Sequence, residues 1–138
     1  MTLRTLTVSF GLDGKAAITA VKSLTWDALS KALTKEPPEV QHKADRGWYI
    51  PALFAAPHRH GDYFVHRDAI TFDFDHVSLD TWGHVILALD GIAFAMYTTF
   101  SHTYDAPRFR CVVPLSRPMG EDEFEACARM LARRIVSI

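Results

Sequence analysis

The stretch Ala69-Ile-Thr-Phe-Asp-Phe-Asp75 constrains this chain more than any other, because its residues alternate with a period of two. An extended strand puts Ile70, Phe72 and Phe74 on one face and Thr71, Asp73 and Asp75 on the other. The apolar face needs a covering layer, so the strand belongs to a sheet buried on at least one side. The other face carries two carboxylates, which repel each other and lose solvation when buried. They persist where a cation neutralises them or where water reaches that face. Both readings are open from the pattern. Oxygen ligands of this kind suit magnesium or manganese bridging to substrate phosphates.

The residues that follow give this strand its partners. Ser78 is placed to cap a helix running to about Leu89, with Leu79, Trp82, Val85, Ile86 and Leu89 as its apolar face and Asp90-Gly91 as its stop. Ile92 to Phe100 is a buried strand by composition, and Ser101 to Pro107 forms a turn. Arg108 to Pro114 then returns as a strand, with Arg108 and Arg110 on one face and Phe109, Cys111 and Val113 on the other, which makes a hairpin. Glu121, Asp122 and Glu123 open a last helix whose Phe124, Cys127, Ala128, Leu131 and Ile135 recur at three and four, with Arg133 and Arg134 near its end. The order strand, helix, strand, strand, helix predicts an α+β fold with a ferredoxin-like core that lacks its usual fourth strand.

The first half is less regular. Leu3, Leu6, Val8 and Phe10 predict a first strand, ended by Gly11 to Gly14. Gly11-Leu-Asp-Gly14-Lys15 lacks the spacing of a phosphate loop and reads as a turn. Thr25 caps a short helix with Trp26, Leu29 and Leu33 on one side, which Pro37-Pro38 must stop. From Glu39 to Arg67 no period is clear, and a long, partly irregular connection is expected. Residues 1–66 are thus an N-terminal α/β extension and 67–138 a core within one domain. Trp48 and Tyr49 in the connection offer either a stacking surface for bases or a hydrophobic anchor. His58 and His60, with His66 and His76, are either a metal cluster or an ordinary histidine-containing cationic loop.

Bulk properties set the limits. At 138 residues there is room for one ordinary domain, and 49% hydrophobic with 22% charged residues is globular composition. Folding at this length buries roughly two thirds of the chain's surface without help from disulfides. Cys111 and Cys127 have no Cys-x-x-Cys spacing, and a reducing cytoplasm is the expected compartment. No signal-peptide run opens the chain. The greasiest stretch, Val85 to Tyr97, is too short and broken to span a bilayer. A net charge of −1 excludes a broad basic field, so any phosphate binding is local. Every lysine lies at or before Lys43, so the second half uses arginine alone, the donor suited to two-point contacts with phosphate or carboxylate.

His102 follows the central strand in Thr98-Thr99-Phe100-Ser101-His102-Thr103, and the hairpin brings it close to Arg108. An imidazole beside two arginines at the edge of a carboxylate cleft suits a triphosphate. It is equally what a capping histidine and two surface arginines would give. Taken together, Thr-Phe-Asp-Phe-Asp-His, Tyr-Thr-Thr-Phe-Ser-His-Thr and Pro-Arg-Phe-Arg-Cys-Val-Val-Pro-Leu-Ser-Arg-Pro resemble the primase-polymerase domains of the archaeo-eukaryotic primase superfamily. The likeness is to the phage and mobile-element branch, often fused to virulence-associated-E type helicases.

The resemblance implies an RRM-like primase-polymerase core and metal-dependent nucleotidyl transfer on a single-stranded DNA template. Asp73 and Asp75 match the acids that hold Mg²⁺ or Mn²⁺, and His102 matches the histidine that contacts the phosphates of the incoming nucleoside triphosphate. Arg108 and Arg110 match the strand whose basic residues face the triphosphate. A helicase domain or a missing C-terminal segment is the implied partner. Two departures stand out. Phe100 occupies a place where the family commonly has a small polar residue. The family's third metal-binding aspartate lies on a strand after the last helix, beyond Ile138, which predicts a core truncated at its C-terminus. The alternative expectation is a non-catalytic primase-derived module that binds nucleic acid or a protein partner. A third is a phosphatase or nuclease using the same two acids.

Overall fold

The computed structural model describes residues 4–35 and 47–136. Leu3 and the Pro37-Pro38 stop lie outside them. Strand β1 (Thr5–Gly11) buries Leu6 and Val8 as its alternation requires. It pairs antiparallel on one side with β2 (Ile18–Thr25) and on the other with β3 (Trp48–Ile50), giving a sheet of order β2-β1-β3. Helix α1 (Trp26–Thr34) starts as expected. Thr25 accepts the Ala28 N–H at 3.2 Å, and Leu29 buries itself with Leu6 and Val8.

The second sheet has the order β4-β5-β7-β6, with β4 (Ala52–Phe54), β5 (Phe64–Phe74), β6 (Ala95–Thr98) and β7 (Phe109–Met119), and all neighbours are antiparallel. Strands β5 and β6 flank β7 and therefore run parallel to each other, joined by α2 (Asp80–Ala88). The expected hairpin is β6–β7. Helix α3 (Glu121–Val136) closes the described chain over the apolar face. Phe124, Cys127, Ala128, Leu131 and Ile135 all pack into a core with Ile70, Val85, Leu89, Phe109, Cys111 and Val113. Burial pushes the Cys111 thiol up to about 12, which leaves it a packing residue rather than a nucleophile. No described helix is long and apolar enough to cross a membrane.

Several boundaries differ from expectation. The connection up to Arg67 is not all irregular: it contains β3, β4, a 3-10 turn at Gly61–Tyr63 and the first residues of β5. The predicted strand Ile92–Phe100 is ordered as a strand only over Ala95–Thr98, and β7 runs on past Pro114 to Met119. In α2, Leu79 and Ile86 point outward, 52% and 43% exposed. Val85 and Leu89 are buried as expected, joined by Ala88, so only a narrow stripe of the helix meets the sheet. The Ser78 hydroxyl does not cap it, since no side-chain bond closes that end. Its C-terminal end is closed by Arg134, whose Nε donates to Ala88 O at 2.7 Å and whose Nη2 donates to Asp90 O at 3.2 Å. No strand follows α3 among the described residues, and the first residues of β5 pair instead with β4, from the N-terminal half.

A buried carboxylate joins the two sheets. Asp68 on β5 is 1% exposed, accepts the Thr7 N–H of β1 at 2.5 Å and is held by Arg4 Nη2 at 3.0 Å. His66 Nδ1 lies 3.2 Å from the same carboxylate without the alignment of a hydrogen bond. Ser9 Oγ donates to Ala52 O nearby, at 2.9 Å. Asp68→Asn keeps the shape but loses the charge-assisted bonds, and we expect it to lower unfolding stability by about 1.5–3 kcal/mol in urea denaturation. A loss below half a kilocalorie would mean that the sheets are held by packing alone.

Candidate functional site

The register of β5 against β7 builds the site. Phe74 lies opposite Phe109 and Asp73 opposite Arg110. The two phenyl rings stack at 4.9 Å with Trp82 edge-on to Phe109 at 5.2 Å, and this anchor on the helix side turns the flanking residues to the other face. There Arg110 Nε donates to Asp73 Oδ1 at 2.5 Å, and Arg108 Nε lies 3.7 Å from Asp75 Oδ1. The carboxylates remain about half exposed and the arginines about a third. The acids are thus neutralised by arginines and also reached by water, so both conditions anticipated for the pair hold together.

Strand β6 adds Tyr97 opposite Arg110, and the Arg110 Nη1 donates to its hydroxyl at 3.3 Å. The Tyr97 hydroxyl in turn hydrogen-bonds Tyr49 of β3, from the other sheet, whose ring lies 5.8 Å from the Arg110 guanidinium. Burial, reinforced by the neighbouring Tyr97 hydroxyl, raises the Tyr49 phenol well above its usual range, so it stays neutral. Burial works against the Arg110 charge. The Asp73 hydrogen bond and the two tyrosines outweigh it, and the guanidinium is held above its ordinary value.

These side chains open into a cleft of about 1040 Å³ between the sheets, walled by Asp73, Asp75, Arg108 and Arg110 on one side and by Trp48, Tyr49 and the end of α1 on the other. His102 stands in the turn behind it. Its Nδ1 accepts the Arg108 backbone N–H at 3.1 Å, so the ring proton sits on Nε2, where it can be donated. A family model for the VapE N-terminal domain matches residues 7–137. The chain belongs to that family. No curated protein and no solved structure matches it significantly.

Of the residues singled out from sequence, this VapE N-terminal domain brings Asp73, Asp75, Arg108 and Arg110 into one cleft, with His102 bonded to the backbone of one of them. The four histidines are not brought together. His58 and His60 share a loop with Tyr63, their ring centroids 6.3 Å apart, and His60 Nδ1 is taken by the Asp62 N–H. His66 faces Asp68, and His76 sits in a turn at a φ of 56°. Among the described residues no group of three or more His, Cys, Asp or Glu converges. Two cleft-facing carboxylates are oxygen ligands of the kind that suits a hard divalent ion. Tyr97 escaped the sequence reading because Ile92 to Phe100 looks uniformly buried. Its one signal is its place at the head of the Tyr-Thr-Thr-Phe-Ser-His-Thr run.

Proposed function

We propose that this VapE N-terminal domain is a primase-polymerase-like nucleotidyltransferase module of a phage or mobile element, acting on a single-stranded DNA template. The carrying observation is the cross-strand lattice in which Asp73 and Asp75 alternate beside Arg110 and Arg108 at the mouth of one cleft. The order β4-β5-β7-β6 with its helical crossover supports reading the second sheet as a ferredoxin-like core, with β4 in the fourth position.

In this reading Asp73 and Asp75 hold Mg²⁺ or Mn²⁺, which when bound activates a 3′-hydroxyl and neutralises the triphosphate. Arg108 and Arg110 release the acids and take phosphate oxygens in two-point contacts. His102 acts from the turn behind the cleft through its bond to the Arg108 backbone, and Tyr97 holds the Arg110 fork. A helicase domain on the same or another chain is the natural consumer of such a module.

Titrating nucleoside triphosphate into the protein with and without Mn²⁺ tests this. Wild type should bind the nucleotide in a Mn²⁺-dependent way. Asp73→Asn should weaken that binding roughly tenfold or more, the worth of one charge-assisted contact. Metal-free triphosphate binding should be unchanged or stronger in the variant, because Arg110 is freed. A wild type without Mn²⁺-dependent nucleotide binding sinks the enzyme reading. The alternative, a non-catalytic binding module, is favoured by one observation: each acid already has an arginine, so the cleft is electrostatically closed without a metal.

A further inference from the structure

We propose that a pocket beside the cleft, where Arg59, Arg67 and Thr71 meet Trp48, holds a backbone phosphate of single-stranded nucleic acid, with a base stacked on the Trp48–Arg59 pair. The pocket has a volume of about 230 Å³ and is also lined by Arg110 and Asp73. Its charge is unbalanced. Three guanidinium-bearing residues share it with a single carboxylate, and Arg110 already occupies that carboxylate. Among the described residues neither Arg59 nor Arg67 has a carboxylate partner. Arg59 lies 4.7 Å over the Trp48 ring and Arg67 4.9 Å over the Phe124 ring. Burial pulls the Arg67 pKa down, the mark of a cation short of a counter-charge. A part-buried cation of this kind is costly unless an anion completes it.

The aromatic component argues for a nucleic acid rather than a free anion. Trp48 is fixed, since its Nε1 donates to Lys15 O at 2.8 Å and its ring lies so close to Gly11 that a Cβ there would stand 2.3 Å from it. Gly47, at a φ of 77°, sets the approach of that strand. A rigid indole with a guanidinium laid on it is a platform for a base, and Arg67 and Thr71 are donors for the adjoining phosphate. The pocket shares Trp48, Tyr49, Arg59, Asp73 and Arg110 with the carboxylate cleft, so a strand seated in it would present its next base to that cleft. What the strand does there rests on the nucleotidyl-transfer reading, but its binding does not.

The test is fluorescence anisotropy of a labelled oligothymidylate against the full chain over a range of salt, with Mn²⁺-nucleotide titrations run in parallel. Arg59→Ala and Arg67→Gln should each weaken oligonucleotide binding roughly tenfold and lower the salt slope by about 0.7, the value for one single-strand phosphate contact. Trp48→Ala should weaken it similarly. Mn²⁺-nucleotide affinity should not move in Arg67→Gln, since Arg67 does not line the carboxylate cleft. Should Arg67→Gln melt at a lower temperature because of its packing on Phe124, Arg59→Ala decides the matter alone. Equal oligonucleotide affinity in wild type and Arg59→Ala overturns the proposal. A loss confined to Mn²⁺-nucleotide binding also overturns it, by assigning the arginine to the nucleotide. Arginine-dependent strand binding without Mn²⁺-dependent nucleotide binding would uphold this site while refuting the transferase.

Discussion

Phe109→Ala should lower the unfolding free energy by about 3–5 kcal/mol, the usual cost of emptying a buried phenyl site. The side chain is 2% exposed, stacked on Phe74 and edge-on to Trp82, so the space left behind has rigid walls from β5 and α2 and collapses poorly. Phe109→Leu should cost about 1–1.5 kcal/mol because most of the volume is retained. Denaturation in urea with unchanged slope checks both. The same substitution should reach the cleft, since Phe109 sits between Arg108 and Arg110 and its anchorage sets the direction of both. A loss below 1 kcal/mol would mean that the Phe74–Phe109–Trp82 cluster is not the clamp described. Loss of stability without any change in nucleotide affinity would uncouple that clamp from the site.

This coupling also explains which parts of the molecule could be read from sequence. Strands β5 and β7 each bury one face against helices and leave the other in the cleft, so their alternation is strong and the register of Asp73 with Arg110 follows from it. Helix α3 likewise carries a full apolar stripe with acids first and arginines last. Beyond β1 and α1, the first half of the chain was far less legible. Strands β3 and β4 have three residues each, too few to show a period, and β2 turns Val21 outward at 54% exposure. Their placement depends on tertiary contacts that no local pattern carries: the Asp68 junction, the Ser9 bond to Ala52 and the indole seated on Gly11. For the same reason the acids and arginines were visible and Trp48 and Tyr49 stood out with two readings open, while Tyr97 and the place of Arg59 over Trp48 emerged only when the two sheets were brought together.

Arg110→Ala should reduce Mn²⁺-nucleotide affinity, and any nucleotide incorporation measured as kcat/KM, by about 10²–10³-fold, the range seen when a preorganised donor is removed from a developing or fixed anionic charge. The expectation follows from geometry. Arg110 on β7 reaches three other strands: it pairs with Asp73 of β5, bonds Tyr97 of β6 and lies against the Tyr49 ring of β3 from the other sheet. Arg110→Lys should recover less than a tenth of the loss, because an ammonium cannot serve Asp73 through one nitrogen and Tyr97 through another. Arg108→Ala should cost less, since its 3.7 Å approach to Asp75 is looser and its backbone contact to His102 survives the change. Stability should move little in Arg110→Ala, because the freed Asp73 carboxylate is 57% exposed and is rehydrated. An Arg110→Ala protein that folds normally and binds nucleotide like wild type would remove Arg110 from the triphosphate grip. Its bond to Asp73 would then be a structural pair, and the carboxylates would be left without the partner on which the transferase reading depends.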